Sequence, residues 1–166
     1  MRRTINRVRR KPASHRTRPS ASSGEVRRRM QATRRRDTPG EVALRSALRA
    51  LGLRFKVDAT LPGTRRRADI VFARRKVAVF VDGCFWHGCP RHGTWPKANA
   101  RWWRDKIETN RNRDRDTDHK LKAAGWLVLR FWEHTDAERA AERVFRVLQG
   151  ETHGGRDGKN PRQRTS

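Results

Sequence analysis

With 166 residues, the chain has room for one domain plus terminal extensions, and its formal net charge of +25 comes from 42 Lys and Arg against 17 Asp and Glu. Like charge at that density disfavours a compact state unless a polyanion screens it. Arg outnumbers Lys, and its fork suits phosphate and base edges, so nucleic acid is the expected partner rather than an anionic membrane. No apolar run approaches the roughly 18–20 residues of a membrane span, and the basic N-terminus lacks an apolar core, so neither a transmembrane segment nor a secretory leader is expected.

Residues 1–29 are rich in Arg, Ser and Pro without apolar periodicity and read as a disordered basic arm; residues 151–166 read as a similar tail. The folded domain is expected over 30–150. "TPGEVALRSALRALG" opens it, with Thr38 as N-cap, Pro39 at the first helical position and Glu41 completing a capping box. Leu44, Leu48 and Leu51 form its apolar stripe, and Gly52 ends it. "LRFKVDA", "ADIVFA" and "KVAVFVD" read as strands, the last two as central ones covered on both faces.

A long charged helix is expected over Ala100–Gly125, with Trp103, Ile107, Asn110, Asp114 and Leu121 on one face. Its two polar members either mark the edge of the core or point inward to a polar site. "WLVLRFW" reads as another buried strand. Thr135 and Glu138 then cap a last helix through Val144 and Leu148 to Gly150. The order α-β-β-β-α-β-α implies an α/β domain with a mixed sheet between helices.

The chemistry gathers in "VFVDGCFWHGCPRHGTW". Asp82 ends its strand and Asp69 begins the preceding one, so neighbouring strands can present hard oxygen ligands suited to Mg²⁺, the ion that steadies attacking and leaving oxygens in phosphodiester hydrolysis. Each is otherwise an ordinary strand-end Asp. Cys84, Cys89 and His92 have the compact spacing of a structural zinc site rather than a disulfide, and His134, after "RFWE", can supply the fourth ligand. His87 competes for that place. Left outside the zinc site, its imidazole is free to take or relay a proton. Phe85, Trp86 and Trp103 are either core rings or apolar wedges that enter a base stack, which a mismatch makes cheaper to open.

These residues resemble a known family. "FVDGCFWHGCPRHG", then "WW..KIETNRNRD" and "LKAAGWLVLRFWEH", are similar to the very short patch repair (Vsr) endonucleases, over about Met30 to His134. The resemblance implies a restriction-endonuclease-like PD-(D/E)XK core with a structural zinc. It implies a monomer that nicks double-stranded DNA on the 5′ side of the thymine in T:G mismatches left by 5-methylcytosine deamination, in the bacterial cytoplasm at the nucleoid and alongside repair proteins.

By position, Asp69 and the Val81 carbonyl would bind Mg²⁺, His87 would activate water, and Glu41, Asp82 and Asp114 would complete the acidic site. Cys84, Cys89, His92 and His134 would hold Zn²⁺, and Phe85, Trp86 and Trp103 would form the wedge. Two features depart from the pattern. Asp82 stands where some members carry histidine, and no lysine occupies the third position of the PD-(D/E)XK signature. A related nuclease with another DNA target, or a zinc-stabilised DNA-binding module without catalysis, are the competing readings.

Overall fold

Thr38 caps α1 (Pro39–Ala50): its hydroxyl accepts from the Glu41 N–H, and Pro39 lies in the first turn. The structure is a computed structural model that describes residues 36–93 and 97–150. The arm and tail expected at 1–29 and 151–166 lie outside the described residues. After α1 come β1 (Lys56–Thr60), β2 (Arg67–Phe72), a 3₁₀ turn, β3 (Val77–Asp82), α2 (Ala100–Ala123), β4 (Leu127–Trp132) and α3 (Ala137–Leu148).

The sheet has the order β1-β2-β3-β4. β1 pairs antiparallel with β2, and β2 antiparallel with β3. β3 and β4 are parallel, as their long crossover through α2 requires, with Val77 opposite Leu127 and Asp82 opposite Trp132.

Strand alternation sends two sets of side chains to opposite faces. On one face Ile70, Val79 and Phe131 pack under Leu44 and Leu48 of α1 and Val144 of α3. On the other, Val71, Ala78 and Phe80 pack with Leu121 of α2. Full burial of a residue such as Leu48 or Val79 contributes about 1.5–3 kcal/mol each. The result is an α/β/α sandwich.

Three expectations need adjustment. β1 begins at Lys56 rather than at Leu53; Leu53 and Phe55 pack against the core from the loop before it. β4 is an edge strand among the described residues, and Leu127 is exposed. The cap of α3 is Asp136, whose carboxylate accepts from the Arg139 N–H at 2.9 Å, not Thr135. A carboxylate one residue later offers the helix N-terminus an anion as well as an acceptor.

Gly40 sets how closely α1 approaches the end of β4. A β-carbon there would lie 2.9 Å from the Glu133 carbonyl oxygen, which belongs to rigid backbone. Gly40→Ala is therefore expected to lower stability by about 1–2 kcal/mol, because the clash outweighs alanine's better helix propensity. Denaturant unfolding measures this; a stabilised variant would contradict it.

Candidate active site and metal centre

β3 and β4 finish side by side, and the Glu133 N–H continues the ladder by donating to the Asp82 carbonyl at 3.0 Å. From Gly83 the chain enters a tight turn. His87 N–H donates to the Gly83 carbonyl, Cys89 N–H to that of Cys84, and Gly93 N–H to that of Cys89. Only glycine fits at 93, where a β-carbon would lie 2.4 Å from the Cys89 carbonyl oxygen. From the neighbouring strand end, Glu133 Oε1 accepts the Cys84 N–H at 2.7 Å.

That turn and strand end bring Cys84, Cys89, His92 and His134 together, with their ligand atoms all within 4.8 Å of one another. Cys84 Sγ lies 3.0 Å from His134 Nδ1 and 3.9 Å from His92 Nδ1; Cys89 Sγ lies 3.9 Å from His134 Nδ1. A tetrahedral ion bonded at about 2.0–2.3 Å has ligand atoms roughly 3.3–3.8 Å apart, so the group fits a metal ion. Both cysteines are free. Burial, with Cys89 and Glu133 beside it, pushes the Cys84 thiol up to about 12. Burial also opposes Cys89 ionisation, yet the main-chain N–H groups of His92 and Arg91 bring its thiol below the ordinary value. Desolvation and the neighbouring His92 and Arg91 lower His134, keeping its nitrogen neutral and able to ligate.

His87 stands outside this group. Its Nδ1 lies 2.6 Å from Asp114 Oδ2 and 3.7 Å from Asp82 Oδ1. Burial alone would lower the imidazole, but the Asp114 hydrogen bond and the charges of Asp82 and Asp114 raise it above the ordinary value. With Nδ1 donating to Asp114, Nε2 is left as the proton acceptor.

The polar face of α2 holds the same turn. Asn110 Nδ2 donates to the Trp86 carbonyl at 2.9 Å, and Arg111 donates to the carbonyls of His87 at 3.1 Å and Gly88 at 2.6 Å. Asn110 and Asp114 therefore point inward to a polar site. Gly88 has φ +64°, and a β-carbon on it would meet the Arg111 guanidinium at 2.7 Å.

Asp69 reaches the site from β2. The β2–β3 pairing runs from Phe72↔Val77 to Ile70↔Val79, and beyond it the Asp69 carboxylate accepts the Val81 N–H at 2.7 Å. Burial, with Glu41 and Asp82 nearby, raises Asp69 to about 6 against the Val81 hydrogen bond and Arg130. Asp82 is likewise raised by burial, although Arg130 and His87 oppose it. Glu41 is buried, takes the Asp37 N–H at 2.9 Å and the Thr38 hydroxyl at 3.0 Å, and is felt electrostatically by Asp69. The helix cap thus also faces the acidic cluster. Asp82, His87 and Asp114 form a second group compact enough for a cation, while Asp69 stands apart from it.

Phe85 packs edge-on against Trp86 and Trp103, with ring centroids 5.1 Å away in both cases. Trp103 is buried and Trp102 stacks edge-on behind it, so Trp103 is the base of the aromatic group; Phe85 and Trp86 are half-buried at its outer side.

Sequence reasoning passed over three site residues. Glu133 holds the turn, Arg111 clamps its carbonyls, and Arg130 donates to Asp82 Oδ1 at 2.7 Å. Arg130 had a signal, a charge inside the apolar run "LVLRFW".

An α/β core with a Cys/His group, a histidine–carboxylate pair and a partly buried acidic cluster at one sheet end has the donors to hold metal ions and to move a proton, as a hydrolase requires. Residues 23–92 match the profile of the family described as DNA mismatch endonuclease Vsr. The chain is 48% identical over 130 residues to the type II nicking enzyme V.NaeI of Lentzea aerocolonigenes, spanning 76% of this chain and 78% of that protein. It is 46% identical over 107 residues to the type II nicking enzyme V.XorIIP of Xanthomonas oryzae pv. oryzae, spanning 63% and 76%. It is 39% identical over 109 residues to the DNA mismatch endonuclease Vsr of Escherichia coli K12, spanning 63% and 66%. The chain belongs to the Vsr family and is a DNA endonuclease.

A buried acid with a raised value binds more protons folded than unfolded, so Asp69 costs stability as pH rises from about 4 to 6. Asp69→Asn keeps an oxygen for the Val81 N–H but carries no charge. Without added divalent cation it is expected to raise stability at pH 7.5 by about 1–2 kcal/mol and to change little near pH 4. Thermal melts at both values check this; destabilisation at pH 7.5 would contradict it.

Proposed function

We propose that the chain, built on a restriction-endonuclease-like PD-(D/E)XK core, nicks double-stranded DNA 5′ of the thymine in T:G mismatches and so begins very short patch repair. The observation that carries this reading is the imidazole of His87, fixed through Nδ1 by Asp114 in the turn that also bears Phe85 and Trp86. Asp69 and the Val81 carbonyl would hold Mg²⁺, which would supply Lewis-acid stabilisation of charge on the phosphate oxygens. His87 Nε2 takes the proton of the attacking water, and Asp114 stabilises the imidazolium so formed. Glu41 and Asp82 add acceptors for water around the site.

Cys84, Cys89, His92 and His134 would hold Zn²⁺ as a staple, which would keep His87 and the aromatic pair in one orientation. Phe85 and Trp86, backed by Trp103, enter the base stack beside the mismatch, where opening costs less than in paired DNA. The relatives named as nicking enzymes support cleavage of one strand rather than two. The basic surface supplies phosphate contacts without sequence preference. No helix among the described residues is long and apolar enough to cross a membrane. We place the enzyme as a monomer on cytoplasmic, nucleoid DNA, working with repair proteins.

Strand-labelled T:G and C:G duplexes incubated with the protein and Mg²⁺ test the reading. The expected outcome is a single nick in the thymine strand of the mismatched duplex, with no cleavage when Mg²⁺ is chelated. Equal cleavage of both duplexes, or of both strands, would overturn it. His87→Ala is expected to slow nicking by about 10²–10⁴-fold while duplex binding persists. Metal analysis of protein purified without chelator is expected to find about one zinc per chain, lost in Cys89→Ser; wild type so purified that carries no zinc and still nicks would refute the staple.

A further inference from the structure

We propose that Arg130 is a positioning residue for this nuclease: its guanidinium is the built-in cation that locks Asp82 and Asp114, and through Asp114 the ring of His87. The inference rests on the nicking reading above and adds to it a residue on the sheet side of the site.

The geometry is specific to a planar fork. Arg130 Nη1 donates to Asp82 Oδ1 at 2.7 Å, Nε approaches the two Asp118 oxygens at 3.1 and 3.3 Å, and Nη2 lies 3.5 Å from Asp114 Oδ1. The other Asp114 oxygen, Oδ2, is the one on His87 Nδ1 at 2.6 Å. Asp114 is thus held from both sides, by an imidazole and by a guanidinium. One ammonium could not serve three carboxylates in these directions at once.

Placement in the sheet explains how the head reaches them. Arg130 pairs in register with Phe80 of β3, and its guanidinium lies over the Phe80 ring at 4.4 Å. The same face of β4 carries Val128, which packs on the apolar cluster under α2. A residue needed only for that core would be apolar as well. Asp114 and Asp118 are one helical turn apart on α2 and both face the guanidinium. Remove the charge and three carboxylates crowd together with His87 as the neighbouring cation. Asp114 then loses one of its two anchors, and the ring loses its fixed orientation.

Arg130→Met tests this, since it keeps an apolar stem over Phe80 and removes the fork; Arg130→Lys keeps the charge alone. Two quantities are read: single-turnover nicking of a T:G duplex alongside duplex affinity, and the His87 Nδ1–H proton resonance in the zinc-loaded, Mg²⁺-free protein. Arg130→Met is expected to slow the single-turnover step by about 10–100-fold with affinity nearly unchanged. It is also expected to lose the exchange-protected Nδ1–H signal expected of the wild type, in which Nδ1 lies 2.6 Å from Asp114 Oδ2. Arg130→Lys should recover only part of both.

A variant that nicks at the wild-type rate, or one that loses affinity and rate together while the His87 signal persists, overturns the proposal. If Arg130→Met does not fold, Asp118→Ala removes only the outer anchor and should move both quantities in the same direction by less; no change in either is equally fatal. The resonance needs no substrate. A protected His87 signal that depends on Arg130 in a protein that nicks no mismatch would therefore retire the nicking reading and leave this one standing.

Discussion

The parallel pairing of β3 and β4 is the constraint on which the rest of the site depends. Because Asp82 lies opposite Trp132, the chain leaves both strands at the same level, and residues 50 apart in sequence become neighbours. Cys84 meets His134, and the Glu133 carboxylate catches the Cys84 N–H. α1 reaches the same end because Gly40 lets its first turn approach the Glu133 backbone, which brings Glu41 toward Asp69. A change that slipped this register by one residue would separate Cys84 from His134 and from the Glu133 carboxylate.

Electrostatics divides the molecule into two scales. At long range the chain is strongly cationic, with a net charge of +25, and attracts a polyanion. Locally, the sheet end gathers Glu41, Asp69, Asp82, Asp114 and Asp118, and burial makes Asp69 and Asp82 reluctant to ionise. Such a cluster in a basic protein calls for compensating cations. Arg130 answers part of that need from within the fold, while the Asp69 carboxylate accepts the main-chain N–H of Val81.

Much of this was legible in the residues. Thr38, Pro39 and Glu41 announced α1 because capping is local chemistry, and the β-branched runs announced the two central strands for the same reason. The inward-facing polar positions Asn110 and Asp114 could be noticed from helical spacing, but their purpose could not, because their partners lie 24 and 27 residues away. Arg130 and Glu133 were missed on similar grounds. An Arg within an apolar strand signals a buried partner without saying which, and Glu133 acts through a main-chain N–H that no sequence pattern marks. Buried β4 was an overreading of its apolar run, since an edge strand can be apolar when only one neighbour covers it.

The proposed zinc staple would position the turn rather than build the core, since the apolar cluster of α1, α3 and the sheet contains none of Cys84, Cys89, His92 and His134. The most direct measurement is nicking of a T:G duplex and far-ultraviolet circular dichroism on one zinc-stripped sample, before and after zinc is restored. The account predicts that the helix and strand signal survives stripping while nicking disappears, and that zinc restores it. A stripped protein that still nicks at the full rate would contradict the account, and so would one whose secondary structure collapses with the metal.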